Sequence, residues 1–177
     1  MNESLSLALM AICATIVTYV WLRYTHARKE LARLKEYEFF ADKFFKASEA
    51  LVSEPDTPPG LLAVIAVFNE IIDNPRLTSQ FFKIYSRFAR ERIEGTRARK
   101  SDPEIAAFTK RHPHLEPVVT DAMMGGVLAL SFLDPRNGTQ HRAMLADLCG
   151  RERKPTTVID AITETRHAYG SAMPAAA

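Results

Sequence analysis

Two histidines flank a proline at His112-Pro113-His114, a carboxylate follows at Asp121 and a third histidine at His141. Zinc takes three or four N, O or S ligands in a tetrahedral array, and a His-x-His turn supplies two of them from one loop. Asp121, one turn into the next helical segment, would add a third. Against this, the spacing matches no recognised metal motif, Lys110 and Arg111 beside it repel a cation, and histidines at a turn serve as exposed caps. No metal or other cofactor is therefore expected.

Asp121 raises a second chemistry. It lies in a mostly apolar stretch, residues 118–133, close to Met123, Met124 and the pair Gly125-Gly126. A carboxylate facing a helical core must be paired or protonated, which is one way ligand pockets are made. The competing reading places it exposed on the first turn, complementing the positive helix N-terminus. Each glycine costs about 1 kcal/mol relative to alanine inside a helix. The pair thus implies close approach of another backbone, or a kink.

A third constellation is basic. Lys83, Arg87 and Arg90 recur at helical spacing and share one face, and Arg97, Arg99 and Lys100 follow in a loop. Residues 49–73, by contrast, carry five acids and no lysine or arginine. Such a basic surface is either a solvated face without function or one that meets anionic lipid, where each cation is worth about 1 kcal/mol, or an acidic partner. Nucleic acid would also need exposed aromatic platforms. Phe81, Phe82, Tyr85 and Phe88 have the spacing of core residues instead, so nucleic acid is disfavoured. The formal net charge of +2 gives no global argument for it.

The sequence contains no G-x-x-x-x-G-K-[ST], no G-x-G-x-x-G, no G-x-S-x-G and no H-E-x-x-H. These absences favour a non-catalytic role and leave an enzyme as the alternative. The tripeptide Asn137-Gly138-Thr139 fits a glycosylation acceptor, which a cytoplasmic location would leave unused. Cys13 and Cys149 are too differently placed for an internal disulfide.

The elements that must position these residues are helical. Residues 4–22 form a run of nineteen without a charge, about 28 Å as a helix and close to the hydrocarbon thickness of a bilayer. Its flanks differ from those of a cleaved signal peptide: no Lys or Arg precedes it, and it ends in Tyr19, Trp21, Arg23 and Tyr24 rather than at an A-x-A site. Arg23, Arg28, Lys29, Arg33 and Lys35 follow, which places the N-terminus outside and residues 23–177 in the cytoplasm. Ala11 with Thr15, and Ala14 with Thr18, have the small-xxx-small spacing that lets membrane helices approach.

No Pro or Gly separates this run from the next segment, whose apolar residues Leu31, Leu34, Tyr37, Ala41, Phe44 and Leu51, widened by Phe40 and Phe45, form a core-facing stripe. Glu54-Pro55-Asp56 stops it. A second helix, capped by Asp56 or Thr57, carries apolar residues nearly all round to Ile72 and is the expected centre of the core. A third is expected from Thr78 or Ser79 to Gly95, a fourth from Asp102-Pro103, and a fifth over 116–133. After the turn at 134–138, a sixth opens at Thr139 or Gln140 and ends at Cys149-Gly150, and a seventh reaches Tyr169. No two-residue alternation appears, so the expected fold is all-α: a transmembrane helix (1–22) continuing into a cytoplasmic bundle of six to seven helices (23–169) and a disordered tail (170–177).

The expected function is a single-pass, membrane-anchored helical binding protein, an adaptor, assembly factor or accessory subunit, most simply in a bacterial inner membrane. Its partners would be the bilayer and a protein, with a homodimer as the variant that the small residues favour. The alternative is a membrane-bound enzyme or ligand-binding protein with a pocket at Asp121, Met124, Gly125 and Gly126.

Overall fold

The computed structural model describes residues 2–72, 74–93 and 102–152, together with Ile162 and Thr165. Among them are six α-helices and no strand: α1 (Asn2–Ser53), α2 (Pro59–Ile71), α3 (Pro75–Ile93), α4 (Pro103–Arg111), α5 (Glu116–Leu133) and α6 (Gly138–Glu152). A single 3-10 turn, Pro113–Leu115, joins α4 to α5. The expected seventh helix falls, but for Ile162 and Thr165, outside the described residues, as do Gly95 and the 170–177 tail. The chain divides into two compact units, Met1–Glu36 and Tyr37–Ala177.

The first unit is the N-terminal part of α1. Its apolar side chains are open on every side: Leu7 is 64 % exposed, Val17 68 % and Trp21 65 %. The threonine hydroxyls are satisfied within the helix, Thr15 Oγ1 donating to Ala11 O and Thr18 Oγ1 to Ala14 O, each at 2.8 Å.

The second unit holds the core. On α1 the buried stripe consists of Ala41, Phe44, Ala47, Ser48 and Leu51, with Tyr37 and Phe40 half-buried against it. Leu31, Leu34 and Phe45, expected on that stripe, are about half exposed instead. Phe45 is one residue, about 100°, round the helix from Phe44, beyond the width of the covered face. α2 is the apolar centre anticipated, with Leu61, Val64, Ile65, Phe68 and Ile71 at 2 % exposure or less.

Aromatic rings run through the core from helix to helix. Phe44 on α1 meets Phe68 on α2 edge-on at 5.8 Å, Phe68 meets Phe81 on α3 at 5.6 Å, and Phe81 stacks on Tyr85 at 5.9 Å. Separately, Arg142 of α6 lies 4.2 Å over Phe132 of α5, which stacks on Phe40 of α1.

The glycine pair is explained by backbone approach. A Cβ on Gly125 would lie 3.1 Å from Phe40 O and Phe44 N and 3.3 Å from Phe44 Cα, so α1 crosses α5 at main-chain contact. A Cβ on Gly126 would lie 2.7 Å from the Phe68 ring. α5 remains an unbroken helix through both.

Two caps differ from expectation. The N-cap of α2 is Pro58, with no side-chain cap. Thr57 is buried, and its hydroxyl donates backward to Leu51 O at 2.6 Å, stapling the turn to the end of α1. α3 starts at Pro75 rather than at Thr78, because the Asn74 side chain caps Arg76 N at 3.1 Å and proline suits the first helical position. The cap of α4 is as read: Asp102 accepts from Glu104 N at 3.0 Å.

Candidate functional site

A polar cleft of about 280 Å³ lies between α3 and α6, and it collects part of the basic face. Lys83 and Arg90 line it from α3, with Ser79 and Ser86; Gln140 and His141 line it from α6. Lys83, Arg87 and Arg90 are all exposed on one side of α3, as their spacing implies. Arg87 is paired with Glu91 at 3.1 Å. Lys83 and Arg90 have no carboxylate within 4 Å among the described residues, although Asp134, engaged by Arg136, Asn137 and His141, also lines the cleft. Arg97, Arg99 and Lys100 lie outside the described residues.

His141 forms the floor of the cleft. Its ring stacks on Phe82 at 3.9 Å, nearly parallel, and Nε2 lies 3.5 Å from Asp134 Oδ2. Nδ1 is buried with no hydrogen-bond partner among the described residues. Asp134 itself caps the turn into α6, accepting from Arg136 N, Asn137 N and Asn137 Nδ2 at 3.0–3.2 Å. Gly138 follows because a Cβ there would collide with the Ser131 carbonyl.

These contacts set the protonation of the pair. Burial holds His141 below the ordinary imidazole value of 6.5, against the opposing pull of Asp134. Burial also pushes Asp134 up, but the donors of Asn137 and Arg136, with His141, together outweigh it and leave the carboxyl below 3.8. The unfolded chain therefore takes up both protons more readily than the folded one, and stability falls with falling pH. The His141 contribution is lost between 6.5 and its lower folded value, and the Asp134 contribution below 3.8. Melting temperatures of the protein and of His141→Gln between pH 8 and pH 5 test the first step. The variant should show a flatter profile; equal slopes would refute the assignment.

The other predicted residues fall elsewhere. Asp121 is exposed on the second turn of α5. Met123 is fully buried and Met124 half-buried. Gly125 and Gly126 are occupied by the Phe44 main chain and the Phe68 ring, so the faces they offer are filled by helix packing. His112, His114, Asp121 and His141 do not form one site. His112 Nε2 lies 3.4 Å from Asp56 Oδ2, whereas His141 belongs to Phe82 and Asp134. Asp134 and Phe82 were not anticipated as partners of His141. The Asp134 turn is visible locally, but Phe82 reaches His141 only through the packing of α3 on α6.

The remaining feature is the N-terminal part of α1. The span Ser6–Ser53 contains an 18-residue window of mean hydropathy 1.6 with none of it buried, so the helix is long and apolar enough to cross a membrane. The 21-residue segment Pro113–Leu133 passes the same test of length and composition but is half buried. Its residues 122, 123, 125–127 and 129–131 pack inside the second unit.

Comparison of the chain with protein-family models, curated proteins and solved structures found no match.

Proposed function

We propose that this chain is a single-pass membrane protein whose helical bundle binds a protein partner at the membrane, as an adaptor, assembly factor or accessory subunit. The observation that carries the reading is the exposure of residues 6–24, where every side chain is open to its surroundings. Contiguous apolar surface of this extent marks a membrane or protein contact. The internally satisfied threonine hydroxyls suit lipid, where no water can serve them. A signal sequence passes the same test of length. The acidic N-terminal flank and the aromatic and basic residues after the run favour a retained span, with the N-terminus outside and the bundle in the cytoplasm. A bacterial inner membrane is the simplest host.

The α3–α6 cleft supplies the chemistry for the partner. Lys83 and Arg90 suit an acidic side chain presented by another protein, the one carboxylate in the cleft, Asp134, being engaged by the donors of Arg136 and Asn137. The test is affinity capture of the full-length protein, gently solubilised, in parallel with Lys83→Glu/Arg90→Glu. A defined membrane complex recovered with the parent and reduced about tenfold or more in the double variant is expected. Equal recovery with both would overturn the role of the cleft. Recovery of the protein alone, or only with itself, would overturn the adaptor reading and point to the homodimer that Ala11, Ala14, Thr15 and Thr18 favour.

A further inference from the structure

The geometry points to a divalent-cation site formed by Glu54, Asp56 and His112. The two carboxylates bracket Pro55 in the turn between α1 and α2, and the histidine caps the C-terminus of α4. Residues more than fifty apart in sequence thus converge through the packing of α2 on α4. One ligand atom from each lies within 4.8 Å of the others, the one such trio of His, Cys, Asp or Glu among the described residues.

The separation of His112 and Asp56 fits two ligands of one ion. A charge-assisted N–H···O contact closes to about 2.7–2.9 Å, whereas His112 Nε2 and Asp56 Oδ2 stand 3.4 Å apart. Around a tetrahedral ion with bonds of about 2.0–2.1 Å, neighbouring ligand atoms lie about 3.3–3.4 Å apart. Glu54, half-buried beside them, has a carboxylate oxygen within 4.8 Å of both and supplies the third donor.

Both halves of the site are held in place. Glu54 N donates to Leu51 O and Thr57 N to Glu54 O, at 3.3 and 3.2 Å, and the buried Thr57 hydroxyl fixes the turn on Leu51. On the other side, His112 N donates to Phe108 O at 2.9 Å, and the imidazole packs on the fully buried Phe108 ring at 5.0 Å. His114 lies beside it with ring centroids 6.0 Å apart, so water or this second imidazole completes the shell.

Two carboxylates and a neutral imidazole balance a doubly charged ion. The mixed N and O donors select zinc or a similar first-row cation over magnesium or calcium. Arg111 and Asp56 line the same adjoining open cleft, and that nearby positive charge weakens the hold on a cation.

The test is calorimetric titration of tag-free, full-length protein in detergent micelles with zinc chloride, repeated with Asp56→Asn, His112→Gln, Glu54→Gln and, as control, the exposed His26→Gln. One zinc per chain is expected. The first two variants should weaken binding about tenfold or more, Glu54→Gln should weaken it measurably, and His26→Gln should bind as the parent does. Circular dichroism confirms that each variant is folded. Since Glu54→Gln alters only a half-exposed side chain, it decides the matter should either of the others fail to fold. No saturable binding below millimolar zinc, or binding unchanged by all three site substitutions, would overturn the site.

Discussion

Ile12→Arg combined with Ile16→Arg is expected to abolish stable membrane integration. The two residues lie near the middle of the exposed apolar segment, one turn apart on the same side of α1. An arginine at the centre of a spanning helix is unfavourable by about 2.5–3.5 kcal/mol, and each isoleucine removed forfeits a further 0.3–0.6 or so. Together that is roughly 6–8 kcal/mol. The dozen or so apolar residues of the run contribute, on the same scale, only several kcal/mol in favour of insertion. The balance changes sign. The measurement is alkaline extraction of membranes from cells expressing the parent, the double arginine variant and the matching double leucine variant. The parent and leucine proteins should stay with the lipid, and the arginine protein should be released or degraded. Retention of the arginine variant would show that residues 6–24 are not the span.

Gly125→Val should strongly destabilise the crossing of α1 and α5. A β-carbon at this position already touches Phe40 O and Phe44 N at 3.1 Å, and these are main-chain atoms of another helix rather than a flexible side chain. Two further methyl groups must force α1 and α5 apart, breaking contacts around the fully buried Phe44. Overpacking of this kind costs about 1–3 kcal/mol or more, against a few tenths gained in helix propensity. Gly125→Ala is a sharper probe. Its gain of about 1 kcal/mol in helix propensity nearly offsets the squeeze, so its stability should stay within about 1 kcal/mol of the parent. Gly126→Ala should do worse, because its β-carbon would lie 2.7 Å from the Phe68 ring, itself wedged between Phe44 and Phe81. Urea unfolding followed by circular dichroism gives the ranking. Stability unaltered in Gly125→Val would mean that the helices do not cross here.

Local chemistry was readable in the sequence where a residue acts on its own segment. Asp102 before Pro103 declared its cap, and the bounds of α5 came out at Glu116 and Leu133. The glycine pair announced a close neighbour, because nothing within α5 could make two glycines worthwhile. Periodicity, however, names a face without naming its cover. Leu31 and Leu34 keep the helical spacing of Phe44 and Leu51, yet they are about half exposed. Thr57 sits where a cap belongs, but burial turned its hydroxyl toward Leu51.

Of the candidate sites, the face of Lys83, Arg87 and Arg90 was visible because it belongs to one helix. The cleft was not, since it exists only where α3 meets α6. The histidine groupings failed for the same reason. His112 was paired in expectation with Asp121, nine residues on, whereas Glu54 and Asp56 approach from another turn altogether.

The crossing of Gly125 over Phe44 also has a consequence in time. About 80 residues separate the two, and ribosomes add about 5–20 residues per second. The Phe40–Phe44 backbone of α1 therefore waits about 4–16 s during synthesis before α5, the helix that crosses it, exists, although α2 is available to Phe44 sooner. The N-terminal part of α1 emerges earlier still, so each new chain offers two apolar surfaces in succession, the exposed N-terminal segment and the face that meets α5. A chaperone or insertion factor that shields residues 41–51 over that interval would raise the yield of correctly paired protein, and a slower ribosome would increase the need for it.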